Sequence, residues 1–185
     1  MDTNPSMLRA FADRAAAAGV PFEAVEGRWP DVADDTPPAD VVVGNHVIYN
    51  VPDLAPFVLR LTDHARRRVV VELTPNHPLS SDSPLWVRFH GIVRPTEPTV
   101  EDAIEVVRDT VGVDPGREDW TAPPGGRFAR KDDLVAWIRR RLCLSKDRDR
   151  EIAEAIGSSL DLGQAGFGFG PRPVVTLWWA GRTTA

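Results

Sequence analysis

Asn45, His46, Tyr49 and Asn50 form a polar cluster just after an apolar run, Asp40-Val41-Val42-Val43-Gly44. Three β-branched residues followed by a glycine read as a buried strand that stops abruptly. The residues past Gly44 then stand at the carboxyl end of a strand, where open α/β sheets bind their ligands. Amide, imidazole and phenol groups there can hold a polar ligand, and an imidazole can accept a proton near neutral pH. A second group, His77, Trp86, Phe89 and His90, lies in a long link from Pro75 to Pro98. Loops held by a scaffold often carry substrate sites, and this group suits an aromatic lid over a small substrate. Plain packing is its other reading. Glu72 with His77 falls short of a metal ligand set, so no metal site is expected.

A scaffold must hold these residues in place. Residues 5–18 read as a helix capped by Thr3 or Asn4, with Pro5 in its first turn and Gly19 past its end. Met7, Leu8, Phe11 and Ala15 recur at helical spacing and form its buried face. Residues 22–25 read as a short strand closed by Glu26-Gly27. After the strand at 40–44, Pro52 opens a helix to about residue 66, with Leu54, Phe57, Val58 and Leu61 on one face. Residues 68–74 form the next strand. Two β-branched runs joined through a helix describe a parallel pair buried on both faces.

The link 75–98 reads as irregular. Thr99 and Asp102 form a capping box for a helix ending at Val111. A strand follows at 113–121, then a turn at 123–126, helices at 131–142 and 147–158, and a last strand at 173–180. Residues 163–170 are glycine-rich and read as a turn feeding that strand. The alternation defines an α/β architecture, and 185 residues suit one domain.

Composition narrows the function. A formal charge of −5 argues against a general nucleic-acid binder, which needs clustered cations for phosphate. The runs Arg66-Arg67-Arg68 and Arg139-Arg140-Arg141 read as solvated ends of elements. The single cysteine, Cys143, allows no disulfide within the chain. Flanked by Leu142 and Leu144, it reads as a buried, inert thiol. A reducing, cytoplasmic setting is the default. No apolar run reaches membrane-spanning length, and the first residues lack the basic and apolar regions of a signal peptide.

The order of elements resembles that of the class I, Rossmann-like S-adenosylmethionine-dependent methyltransferases. Asp2-Thr3-Asn4-Pro5-Ser6-Met7-Leu8 resembles the family's acidic residue after its second strand and the opening of its second helix. Asp40 through Asp53 resembles its fourth strand and the polar segment after it. Gly112 through Trp120, with the late strand 173–180, resembles its closing antiparallel pair. The chain also departs from the pattern. It lacks the first strand and the glycine-rich turn of the form Gly-x-Gly-x-Gly. Gly166-Phe167-Gly168-Phe169-Gly170 has the letters but precedes a strand, so it is no cofactor loop. Gly27-Arg28-Trp29 stands where the family often has an acidic residue for the adenine.

The resemblance implies a Rossmann-like three-layer sandwich, mostly parallel with an antiparallel C-terminal strand, and N-terminally truncated. One domain over 1–185, incomplete at its start, is the expectation; a short, degenerate relative is the alternative. The implied cofactor is S-adenosylmethionine. The implied cofactor-binding residues are Asp2 for the ribose diol, Trp29 stacked on the adenine, and Asn45 and His46 at the methionine end. His46 is the candidate base, and Tyr49, Asn50, His77, Trp86 and His90 are the substrate-side candidates.

Each has a plainer reading. Asp2 can cap a helix, Trp29 can pack a loop, His46 can bond its own loop, and Tyr49 can pack on the next helix. The implied function is methyl transfer to a small-molecule acceptor, with neither nucleic acid nor membrane as partner. A non-catalytic fragment that binds or dimerises is the alternative. An α/β hydrolase is disfavoured because no Gly-x-Ser-x-Gly elbow is present. Without the family's first two strands, strand 40–44 should expose an edge, through which the chain can form a homodimer.

Overall fold

The structure, a computed structural model, describes residues 1–125, 128–157, 160 and 166–182, with Asn50 described by its backbone alone. The ends of the expected turn at 123–126 and helix at 147–158, and residues 163–165 of the glycine-rich stretch, lie outside the described residues. The chain divides into two compact units. The first comprises Met1–Val71, Ile104–Gly116 and Leu177–Ala185, and the second Glu72–Ala103 and Arg117–Thr176.

The first unit opens with α1 (Pro5–Ala17), where the Asn4 side chain accepts the Ser6 N–H at 2.9 Å. This is the expected cap. The expected buried face is corrected: Ala15 is buried, but Met7 and Phe11 are 57% and 52% exposed. Helical spacing defines a face, but it does not supply a layer to cover it. Phe11 meets the edge of Phe22, with ring centroids 5.9 Å apart. The expected strand at 22–25 is also corrected. One isolated parallel bridge, Asp2 to Glu26, stands in its place. Asp2 N–H donates to Val25 O, and Gly27 N–H donates to Asp2 O.

Strand β1 (Ala39–Asn45) leads into α2 (Leu54–His64), which passes without a loop into β2 (Ala65–Leu73). Phe57, Val58 and Leu61 are buried on α2, as its spacing predicts. Thr62 is buried beside them. Its hydroxyl donates to the Val58 carbonyl and accepts from the Trp179 indole, both at 2.8 Å. Trp179 belongs to β4 (Arg172–Ala180), whose Leu177 is fully buried. Helix α4 (Val100–Val111) contributes Ile104, Val107 and Val111 to this unit.

With β3 (Gly116–Ala122), the strands form one mixed sheet in the order β1-β2-β4-β3. Strand β1 is therefore an edge strand. Its expected burial on both faces is corrected: Val41 and Val43 are 46% and 67% exposed. Val41 and Val43 alternate onto one face of the strand, and that face is left open to solvent. Gly44 is the exception. It is buried, and a Cβ there would lie 3.0 Å from Val71.

In the second unit the expected irregular link is corrected. It contains a 3-10 turn at Pro78–Asp82 and the helix α3 (Ser83–His90). Its prolines read as breakers, yet Pro84 lies in the first turn of α3, where proline is tolerated. Gly91, at φ 66°, closes α3 in the left-handed conformation. The Thr99 and Asp102 capping box forms as expected, with Thr99 N–H donating to Asp102 Oδ2 at 2.6 Å.

Helices α5 (Lys131–Arg141) and α6 (Asp149–Ile156) build a core from Leu134, Val135, Ile138, Leu142, Ile152 and Ile156. The reading of Arg139–Arg141 as a solvated end is corrected for two of its three residues. Arg139 pairs with Asp149 at 2.9 Å, and Arg141 with the buried Asp82 at 2.7 Å. Cys143 is also corrected. It is exposed, because Leu142 takes the core position while Cys143, at φ 53°, turns out past the helix end.

Thr62→Val keeps the volume of the side chain but leaves the Trp179 N–H buried without its acceptor. Urea unfolding is expected to show a loss of about 1–3 kcal/mol, the usual cost of an unsatisfied buried donor. Thr62→Ser, which keeps the hydroxyl, is expected to lose less.

Candidate functional site

A cleft of about 860 Å³ lies wholly within the first unit. It is lined by Met1, Asp2 and Thr3, by Val41 to Asn45 of β1, and by Trp29, Phe57, Leu61 and His64 among others. Its volume falls in the range of small-molecule sites. Asp2, Trp29 and Asn45, three of the four expected cofactor residues, thus share one cleft although they come from three separate segments.

The short bridge to residues 25–27 places Asp2. Its side-chain Oδ1 accepts the Asn4 N–H at 2.8 Å, which also leads the chain into α1. A carboxylate has further lone pairs beyond that one bond. Trp29 is fixed at both ends. Its Nε1 donates to the Phe57 carbonyl at 3.3 Å, and its ring meets His64 edge-on at 4.8 Å. The cap and packing readings of Asp2 and Trp29 therefore hold alongside their places in the cleft.

His46 is not among the lining residues, although Asn45 and Val47 on either side are. It sits at φ 52°, a left-handed conformation uncommon for a residue with a Cβ. Its ring stacks on Tyr49, with Nδ1 3.4 Å from the phenol oxygen. The Asn50 side chain lies outside the described residues.

His64 escaped the sequence reading. It lines the cleft, with Nε2 2.6 Å from the Ala33 carbonyl and Nδ1 3.2 Å from that of Arg60. A neutral ring can donate to only one of these two acceptors. The sequence signal was its place one turn beyond Leu61 on the apolar face of α2.

The other substrate-side candidates lie in the second unit. His77 Nδ1 accepts the Leu79 N–H at 3.1 Å and so caps the turn that follows. His90 Nε2 is 2.8 Å from the Leu142 carbonyl, and its ring lies 4.7 Å from that of Trp86. The Arg94 guanidinium lies 5.2 Å from the Trp86 ring centre. Together these residues tie α3 to the end of α5. Among the described residues, no group of three or more His, Cys, Asp or Glu is placed to hold a metal, and no helix is long and apolar enough to cross a membrane.

No protein-family model and no curated protein sequence matches the chain. Solved structures do match it in fold. The YcgJ protein of Bacillus subtilis aligns over 98% of this chain and 81% of its own, with a TM-score of 0.52 and 14% identity. A candidate methyltransferase from Bacillus halodurans aligns over 99% and 81%, with a TM-score of 0.50 and 11% identity. A precorrin-8w decarboxylase from Methanobacterium thermoautotrophicum aligns over 96% of this chain at a TM-score of 0.50 and 14% identity, and this chain spans 66% of its length. The fold is thus the Rossmann-like α/β fold of the methyltransferases, with a mixed, mostly parallel sheet. At such low identity the likeness extends to fold alone.

The His77 ring gives a pH test. Burial first, then Arg94 and Arg141, hold its pKa below the ordinary 6.5. The unfolded chain then takes up the proton before the folded one does, so stability falls as pH drops below about 6.5. Protonation also leaves Nδ1 unable to accept the Leu79 N–H. Urea midpoints measured between pH 7.5 and pH 5 are expected to fall less steeply in His77→Gln than in the parent chain.

Proposed function

We propose that this chain binds S-adenosylmethionine in the cleft beside β1 and serves methyl transfer to a small-molecule acceptor. The observation that carries this reading is the convergence of Asp2, Trp29 and Asn45 on one cleft that runs along β1. The fold supports it. In this reading the remaining lone pairs of Asp2 hold the ribose diol. Trp29, already fixed by Phe57 and His64, offers the adenine a rigid flat face, and Asn45 meets the methionine end.

When bound, the cofactor supplies an electrophilic methyl group. The protein's part is then chiefly positioning. His46 does not line the cleft, so in this reading it takes the acceptor's proton only from an acceptor that reaches past Asn45 to the His46–Tyr49 pair. The formal charge of −5 fits a small acceptor better than a nucleic acid.

A second reading is a binding module without turnover. Among the described residues no turn of the form Gly-x-Gly-x-Gly follows a strand.

Calorimetric titration with S-adenosylmethionine tests the first reading. Uptake is expected in the micromolar to millimolar range. Asp2→Ala is expected to weaken it by about tenfold or more, and Trp29→Phe by less. His46→Ala is expected to leave binding nearly unchanged while lowering any methyl transfer by about 10²-fold or more. A folded chain that takes up no cofactor at about 1 mM sinks the proposal. Uptake without turnover on any offered acceptor favours the module.

A further inference from the structure

Helix α2 meets the loop that carries Trp29 through Phe57, Arg60 and His64. Spaced three and four residues apart, these lie along one side of the helix. The Phe57 carbonyl accepts the Trp29 Nε1–H, Arg60 pairs with Asp34, and His64 Nε2 lies 2.6 Å from the Ala33 carbonyl. Between these points the loop bonds to itself. Val32 N–H donates to Arg28 O at 3.2 Å, Ala33 N–H to Pro30 O at 2.9 Å, and the Thr36 hydroxyl to Val32 O at 2.8 Å. Ala33, at the middle of this turn, is fully buried.

The three residues constrain Trp29 differently. The Phe57 bond holds the indole at one atom, about which the ring can still pivot. The Arg60 ion pair acts farther along the loop, at Asp34. His64 joins the two regions. Its ring meets the indole at 4.8 Å and 89°, and its Nε2 is the nearer of its two nitrogens to a carbonyl, that of the buried Ala33. A second contact at a different point removes the pivot that the first leaves. A perpendicular ring contact covers at most one face of the indole, so His64 can set the plane of Trp29 without closing both of its faces.

We propose that His64 is the positioning residue of the cofactor platform: anchored on Ala33, it sets the plane in which Trp29 meets the adenine and acts on affinity through Trp29. This inference rests on the reading of the cleft as an S-adenosylmethionine site. A ring held in its binding orientation beforehand spares the ordering cost that binding otherwise carries, so the loss of His64 shows as weaker uptake.

Labelling with 5-fluorotryptophan gives each of the six tryptophans a fluorine signal, and Trp29→Phe assigns the one that belongs to residue 29. That signal is expected to move when S-adenosylmethionine is added. Calorimetry then compares the parent chain with His64→Phe, which keeps a ring and loses the Ala33 contact, and His64→Gln, which keeps a donor and loses the ring. Circular dichroism checks that each is folded, and either variant suffices should the other not fold. Each is expected to weaken uptake by about threefold or more in the parent chain and to add nothing beside Trp29→Ala, because residues that act through one another are not additive. A residue that merely supports the fold lowers uptake equally in both backgrounds. The proposal is overturned if the Trp29 signal ignores bound cofactor, if the folded His64 variants bind as the parent does, or if they cost as much beside Trp29→Ala as alone. In each of these cases the parent still binds, and the cofactor reading stands. A parent chain that takes up no cofactor removes both.

Discussion

The unpaired edge of β1 is the constraint on which the first unit turns. A backbone N–H or C=O out of reach of water must find a partner, and a sheet edge presents a row of them. β1 has β2 as its one neighbour in the four-stranded sheet, Val41 and Val43 lie exposed on one of its faces, and β1 and Met1–Thr3 both line the cleft. That same cleft brings Asp2, Trp29 and Asn45 to one place. The cleft runs along β1 from Ala39 to Asn45, and Asn45 closes the strand.

Elsewhere, two buried polar groups, Thr62 and Asp82, are satisfied by defined partners. Thr62 uses its hydroxyl twice, once toward Val58 and once for Trp179, so helix α2 and strand β4 are joined at a point that excludes water. In the second unit Asp82 and Arg141 do comparable work. The buried carboxylate has its cation at 2.7 Å, and that guanidinium also lies 4.3 Å from the centre of the Trp137 ring. Breaking one side of such a pair leaves a charge stranded, which costs more than the pair itself contributes.

Much of the scaffold was legible in the residues. Strand β1, helix α2 and strand β2 follow from β-branched runs set around an amphipathic helix. The Thr99 and Asp102 capping box was readable because its two residues lie within one turn. Helix α3 was missed because Pro78 and Pro84 look like breakers, and only the backbone shows that Pro84 sits where a proline costs nothing. Cys143 was misread because flanking leucines say nothing about which residue of a helix terminus turns outward. His64 went unnoticed since its two carbonyl partners, on Ala33 and Arg60, belong to backbone that no side-chain pattern reveals.

By itself the sequence determined the kinds and order of the elements, because helix and strand periods, caps and breakers are local properties of the chain. It also placed Asn45 at the end of a strand. Only the tertiary structure decided which apolar faces are covered. Met7, Phe11, Val41 and Val43 have the spacing of core residues and lie in solvent, since burial needs a second layer that no local pattern provides. It was likewise the tertiary structure that put Asp2 and Trp29 beside Asn45, because contacts between distant segments depend on where the strands stand in the sheet.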